Sequence, residues 1–164
     1  KPLAFSAFLS VQNLTGIYSP FTVEANYNQD MTPYNIPFTA CHELSHLRGF
    51  MQEEEANFIA WLACKDAPET ELQYSGSMLA WIHCMNVLYE EDRAAWSEIR
   101  EILSEKADVD LRANSEFWDK WDGAVAEVSE QINDNYLKAN GQKDGVQSYG
   151  RMADLVVAYY LWKE

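Results

Sequence analysis

The stretch ACHELSHLRGFMQEEEANFIAWLAC, residues 40–64, leaves its backbone little choice. Pro37, Phe38 and Thr39 mark a helix start, and the helical pattern runs to about Arg48. Gly49 then stops it, as a glycine just past a helix end does by taking a left-handed conformation. A second helix begins almost at once, near Gln52, and runs to about Lys65. Its glutamate-rich first turn suits the positive end of a helix dipole.

Two of the chain's three histidines lie in the first of these helices, four residues apart. One helical turn puts His42 and His46 on a single face. Two imidazoles so placed can hold one Zn²⁺, each at about 2.0–2.1 Å. Glu43 is too close in sequence to share the metal comfortably, but it can reach a water there and act as general base. This is the HExxH pattern of zinc peptidases. Leu44 and Leu47 are expected to face the core.

A catalytic zinc takes three protein ligands and keeps one position open. After the turn at Gly49 the candidates are Glu53, Glu54 and Glu55. Successive helical residues point about 100° apart, so one of the three faces the metal squarely. Glu53 and Asn57 are four apart and share a face, which lets Asn57 hydrogen-bond a ligand histidine. Glu53 is therefore the expected third ligand, and Glu54 and Glu55 are expected to be a solvated first turn. His83 is the rival ligand, but it sits mid-helix between Ile82 and Cys84, where a packed histidine is the simpler account.

The chain around this stretch, 164 residues with 48% apolar and 13% aromatic side chains, suits one domain, 1–164, with a substantial core. The expected class is mainly α (α+β). Residues 1–37 read as one β-hairpin plus loop, broken by Gly, Pro and Asn. Further helices are expected over 72–89, 91–104, 114–139 and 147–162. In the 114–139 segment Phe117, Trp118, Trp121, Val125, Val128 and Ile132 form the expected buried stripe. The net charge of −14 disfavours nucleic acid and anionic lipid as partners, though not a cation or a peptide. No apolar run approaches bilayer length. Three cysteines, Cys41, Cys64 and Cys84, do not make a disulfide framework; all three are expected to be small core residues, with a single bridge between two of them open.

Hydrolysis also needs a donor for the developing oxyanion. Tyr149, in QSYGRMAD at the start of the last helix, is the candidate, with Arg151 nearby as a substrate contact and Tyr74 a weaker alternative. FTVEANYN, residues 21–28, could be an edge strand beside the cleft, which would bring Glu24 and Asn26 to an extended peptide substrate.

The Glu-x-x-Ala-Asn run after HExxH resembles the gluzincin group of metallopeptidases. That resemblance implies Glu53 as third ligand and Asn57 as its supporting residue, with a shorter spacing than in thermolysin-like members. PFTACHELSHLRGFMQEEEANFIAWLAC, YSGSMLAW, DLRANSEFWDKWDG and YLKANGQKDGVQSYGRMADLVVAYY are together similar to the bacterial domain-of-unknown-function family 3810. The resemblance implies a zincin-like domain on the extracytoplasmic face of a bacterial membrane, carried by N-terminal transmembrane helices outside this chain. It implies a zinc metallopeptidase acting on a peptide or protein, with Glu43 activating a zinc-bound water. The alternative is a catalytically inactive zincin-fold sensor or scaffold that binds a peptide or cell-envelope ligand. An intact Glu43 favours the enzyme, because metal binding alone does not require it.

Overall fold

A computed structural model describes residues 1–139 and 151–163. The described residues are mainly helical, with a two-stranded antiparallel sheet near the N-terminus. A short helix α1 (Ser6–Val11) precedes strands β1 (Gly16–Ser19) and β2 (Glu24–Tyr27). Then come α2 (Asn35–Leu47), α3 (Glu53–Lys65), α4 (Thr70–Glu91), α5 (Arg93–Glu101), α6 (Glu105–Asp119), α7 (Ala124–Ala139) and α8 (Arg151–Lys163).

α2 is the centre of the packing, touching α3, α4 and both strands. Its core side is Phe38 and Cys41, which meet Ala60, Trp61 and Cys64 of α3, Ala80 of α4, and Met152 and Val156 of α8. Leu44 lies on the other side and is exposed, contrary to expectation. The core stripe of α2 runs through Phe38, Cys41 and Ser45, so Leu44 falls outside its arc. Ser75 of α4 anchors the start of α2, accepting from Phe38 N at 2.9 Å and donating to the Tyr34 carbonyl. That satisfies one of the amides a helix leaves open in its first turn.

The hairpin register pairs Gly16 with Tyr27, Ile17 with Asn26, Tyr18 with Ala25 and Ser19 with Glu24. The outer side of β2 is taken by the N-terminal segment: Tyr27 N donates to the Lys1 carbonyl and Leu3 N to the Tyr27 carbonyl, both at 3.0 Å. β2 is thus the middle strand, and among the described residues no segment pairs with the outer edge of β1. α1 was not anticipated; Asn28, fully buried, ties it to the hairpin by donating to Ser10 Oγ at 2.9 Å.

The expected 114–139 helix is two helices. Asp122 and Gly123 lie between α6 and α7, and the turn breaks the stripe. Phe117, Trp118 and Trp121 stay half-buried, whereas Val125, Val128 and Ile132 are exposed. α6 itself starts earlier than expected, at Glu105, where the Ser104 side chain caps it by accepting from Ala107 N. Its Asn114 accepts from Thr32, Asn35 and Trp118, which pins α6 to the start of α2.

Candidate metal centre

The turn between α2 and α3 builds the site. Gly49 has φ +100, a conformation that side-chain-bearing residues rarely adopt. With it, Phe50 N reaches the Ser45 carbonyl at 3.2 Å and Gly49 N the His46 carbonyl at 3.0 Å, the two bonds of a Schellman motif. The same turn swings the Phe50 carbonyl to 2.7 Å from His46 Nδ1. A proton on Nδ1 satisfies that contact and leaves Nε2 with a free lone pair.

That lone pair points at its partners. His46 Nε2 lies 3.0 Å from His42 Nε2, His42 Nε2 lies 3.3 Å from Glu53 Oε2, and His46 Nε2 lies 3.5 Å from Glu53 Oε1. Tetrahedral ligands at about 2.0–2.1 Å from one ion stand about 3.3–3.4 Å apart. The three side chains therefore fit a single small cation without rearrangement, and among the described residues they form the group whose ligand atoms all lie within 4.8 Å of one another. His83 is not part of it. Glu55 is exposed, and Glu54 is buried rather than solvated. Glu54 Oε2 has no hydrogen-bond partner, and Oε1 lies 3.9 Å from Arg151 Nη1 of α8. Arg151 thus sits at the flank of the ligand helix, paired with the neighbour of Glu53.

Charge in this cluster follows its burial. Burial lowers the His42 pKa, but the hydrogen bond it donates to Glu53, the charges of Glu43 and Glu53, and Asn57 outweigh it and leave His42 raised. For His46, burial and the His42 charge win over Glu53 and the Phe50 carbonyl, so it is lowered. Burial raises Glu53, yet the two histidines pull it below the ordinary carboxylate value. His42 Nδ1 is buried without a hydrogen-bond partner, and Asn57, itself buried, is the amide that acts on this ring.

Glu43 is buried beside the cluster, and burial pushes its pKa up to about 7, with His42 opposing and Glu53 reinforcing. Its carboxylate lies against the backbone of β1. A Cβ at Gly16 would stand 2.8 Å from both Cγ and Cδ of Glu43, closer than side chains approach. Gly16 thus makes room for Glu43, a role the sequence hid; a glycine inside a strand pattern was its signal. Tyr18, two residues on and so on the same face of β1, has its ring 6.4 Å from that of His46.

Glu24 and Asn26 do not meet this arrangement. They pair with Ser19 and Ile17, on the face of the hairpin opposite Gly16 and Tyr18. Glu24 is ion-paired to Lys1, and Asn26 is buried. The free edge beside the cluster is that of β1. Asn28 N donates to the Thr15 carbonyl at 2.8 Å, so alternation turns the backbone groups of Gly16 and Tyr18 away from β2. Tyr74 is committed elsewhere: its hydroxyl donates to Asp110 Oδ2 at 2.6 Å. Tyr149 lies outside the described residues.

The family model described as "Protein of unknown function (DUF3810)" matches residues 1–157. The chain belongs to that family. The DUF3810 match spans every element described above except the end of α8. Comparison with curated proteins and with solved structures found no match. No helix among the described residues is long and apolar enough to cross a membrane.

Proposed function

We propose that this DUF3810 chain is a zinc-dependent metallopeptidase. The observation that carries the reading is the convergence of His42 Nε2, His46 Nε2 and the Glu53 carboxylate at 3.0–3.5 Å, with Glu43 buried beside them. His42, His46 and Glu53 would hold Zn²⁺, an N₂O set typical of catalytic rather than closed structural sites. When bound, the ion would act as a Lewis acid toward water and the scissile carbonyl.

The chain's own residues supply the rest. Glu43 takes a proton from the attacking water and passes it to the leaving amine nitrogen. Gly16 leaves the space in which that carboxylate sits. The Phe50 carbonyl holds His46 in the tautomer whose Nε2 can bind. Asn57, buried beside the His42 ring, would accept from its Nδ1–H and fix the second ring in the same way when the metal is bound. The open edge of β1 offers the backbone groups of Gly16 and Tyr18 to an extended peptide, which would lie across Glu43 and His46 as an added strand. The oxyanion donor is assigned to Tyr149, with Arg151 as a substrate contact beside α3. On the family resemblance, the site would face the extracytoplasmic side of a bacterial membrane.

The experiment is digestion of a peptide library by zinc-loaded protein, with and without chelator, for the native chain and Glu43→Gln. Cleavage that chelator abolishes is expected. Glu43→Gln should lower the rate by about a hundredfold to ten-thousandfold while zinc stays bound, since the amide cannot accept the proton. Zinc retention with no cleavage by the native chain would leave the sensor or scaffold alternative.

A further inference from the structure

A second reactive pair lies on the same two helices. Cys41 of α2 and Cys64 of α3 are both free thiols, with their sulfurs 3.8 Å apart. They sit on the core side of the α2–α3 interface, and Cys41 directly precedes the ligand His42. Cys64 is fully buried and Cys41 half-buried, so Cys41 is the more exposed member of the pair. α4 closes the back of Cys64: a Cβ at Gly76 would lie 2.6 Å from the Cys64 Cβ. Only glycine there lets α4 pack so closely, and the packing leaves Cys64 little room except toward α2. Cys84 of α4 packs on the same cluster but makes no hydrogen bond to either sulfur among the described residues.

We propose that Cys41 and Cys64 are a redox site, forming an intramolecular disulfide that clamps α2 to α3. The gap to close is from 3.8 Å to about 2.05 Å between the sulfurs. The oxidant is a small disulfide, RSSR. The Cys41 thiolate attacks one of its sulfurs, the S–S bond breaks and RS⁻ leaves, giving a mixed disulfide. The Cys64 sulfur then attacks the Cys41 sulfur, expelling the second RS⁻, which leaves as RSH with the proton given up by Cys64. Two protein thiols are oxidised to one disulfide, and RSSR is reduced to two RSH. The bond joins positions 23 residues apart across the turn between the helices that carry His42, His46 and Glu53, so it restricts the unfolded chain where that cluster must form. The bond itself does not depend on the metal.

The test uses metal-free chain incubated with glutathione disulfide, then unfolded for thiol titration and peptide mapping. Titratable thiols should fall from three to one, with peptides bearing positions 41 and 64 joined until reductant is added. The thermal midpoint should rise by about 5–10 °C, for a loop of this length in a domain of this size. Cys41→Ser should abolish both the link and the rise, and Cys84→Ser should keep both, which guards against a variant that simply misfolds. Three thiols still titratable, reaction halted at the glutathione adduct, a bond to Cys84, or a linked chain without a raised midpoint would each overturn the proposal.

Discussion

The α2–α3 pair and α7 show similar helical amphipathicity in the sequence and end in opposite circumstances. In α2–α3 the polar groups are buried and tied: Gly49 sets a turn with two backbone bonds, Phe50 holds His46, and Glu53 meets both histidines. Among the described side chains of α7, Ala126 is buried, and Val125, Val128 and Ile132 face out. Polar burial costs free energy unless each group is partnered. Drawing two histidines and three carboxylates largely out of water therefore costs stability at this turn, whereas a helix whose described apolar stripe faces outward gains little from burial.

Four substitutions sharpen this contrast. Gly16→Ala should act most strongly, because the new methyl displaces Glu43. The hydrolysis rate should fall by about a hundredfold, the size of effect an ångström of misplacement produces, while zinc affinity measured by competition stays near native. Unchanged turnover would mean that Glu43 is not the base. Asn57→Ala comes next, weakening zinc by about ten- to a hundredfold as the His42 ring loses its partner. A zinc titration with native affinity would remove Asn57 from the site. Gly49→Ala forces an L residue to φ +100 and should cost about 1–3 kcal/mol in urea unfolding. The smallest effect belongs to α7: Val128→Ser should change stability by no more than about 0.5 kcal/mol and leave zinc binding alone. A larger loss there would show that α7 packs on something and would erase the contrast.

Acid should separate metal from fold as well. His42 and His46 must be neutral at Nε2 to bind zinc, so lowering the pH through their titration should release it. His42 is raised and His46 lowered in the metal-free protein, so protonation of His42 is the first to compete, on the alkaline side of His46. Zinc occupancy against pH, followed by metal analysis after dialysis, checks this order in combination with His46→Ala.

The mainly helical class, the α2–α3 pair and the His42–His46–Glu53 cluster were legible in the sequence because they depend on local geometry. Four-residue spacing places His42 with His46 on any α-helix, and Gly49 ends one helix close before the next begins; Glu53 and Asn57 follow from the same periodicity. What lay beyond local geometry needed the tertiary structure. Which strand is the free edge depends on where the N-terminus runs, and Lys1–Leu3 against β2 moves that edge from the expected residues Glu24 and Asn26 to β1. Gly16 matters because β1 crosses Glu43, and Arg151 meets Glu54 because α8 packs against α3. Val128 looked like core because a helical period records which residues share a face, not whether another element covers it. Periodicity is a property of one segment; burial belongs to the pair that meets, and only the packed chain decides the pairs.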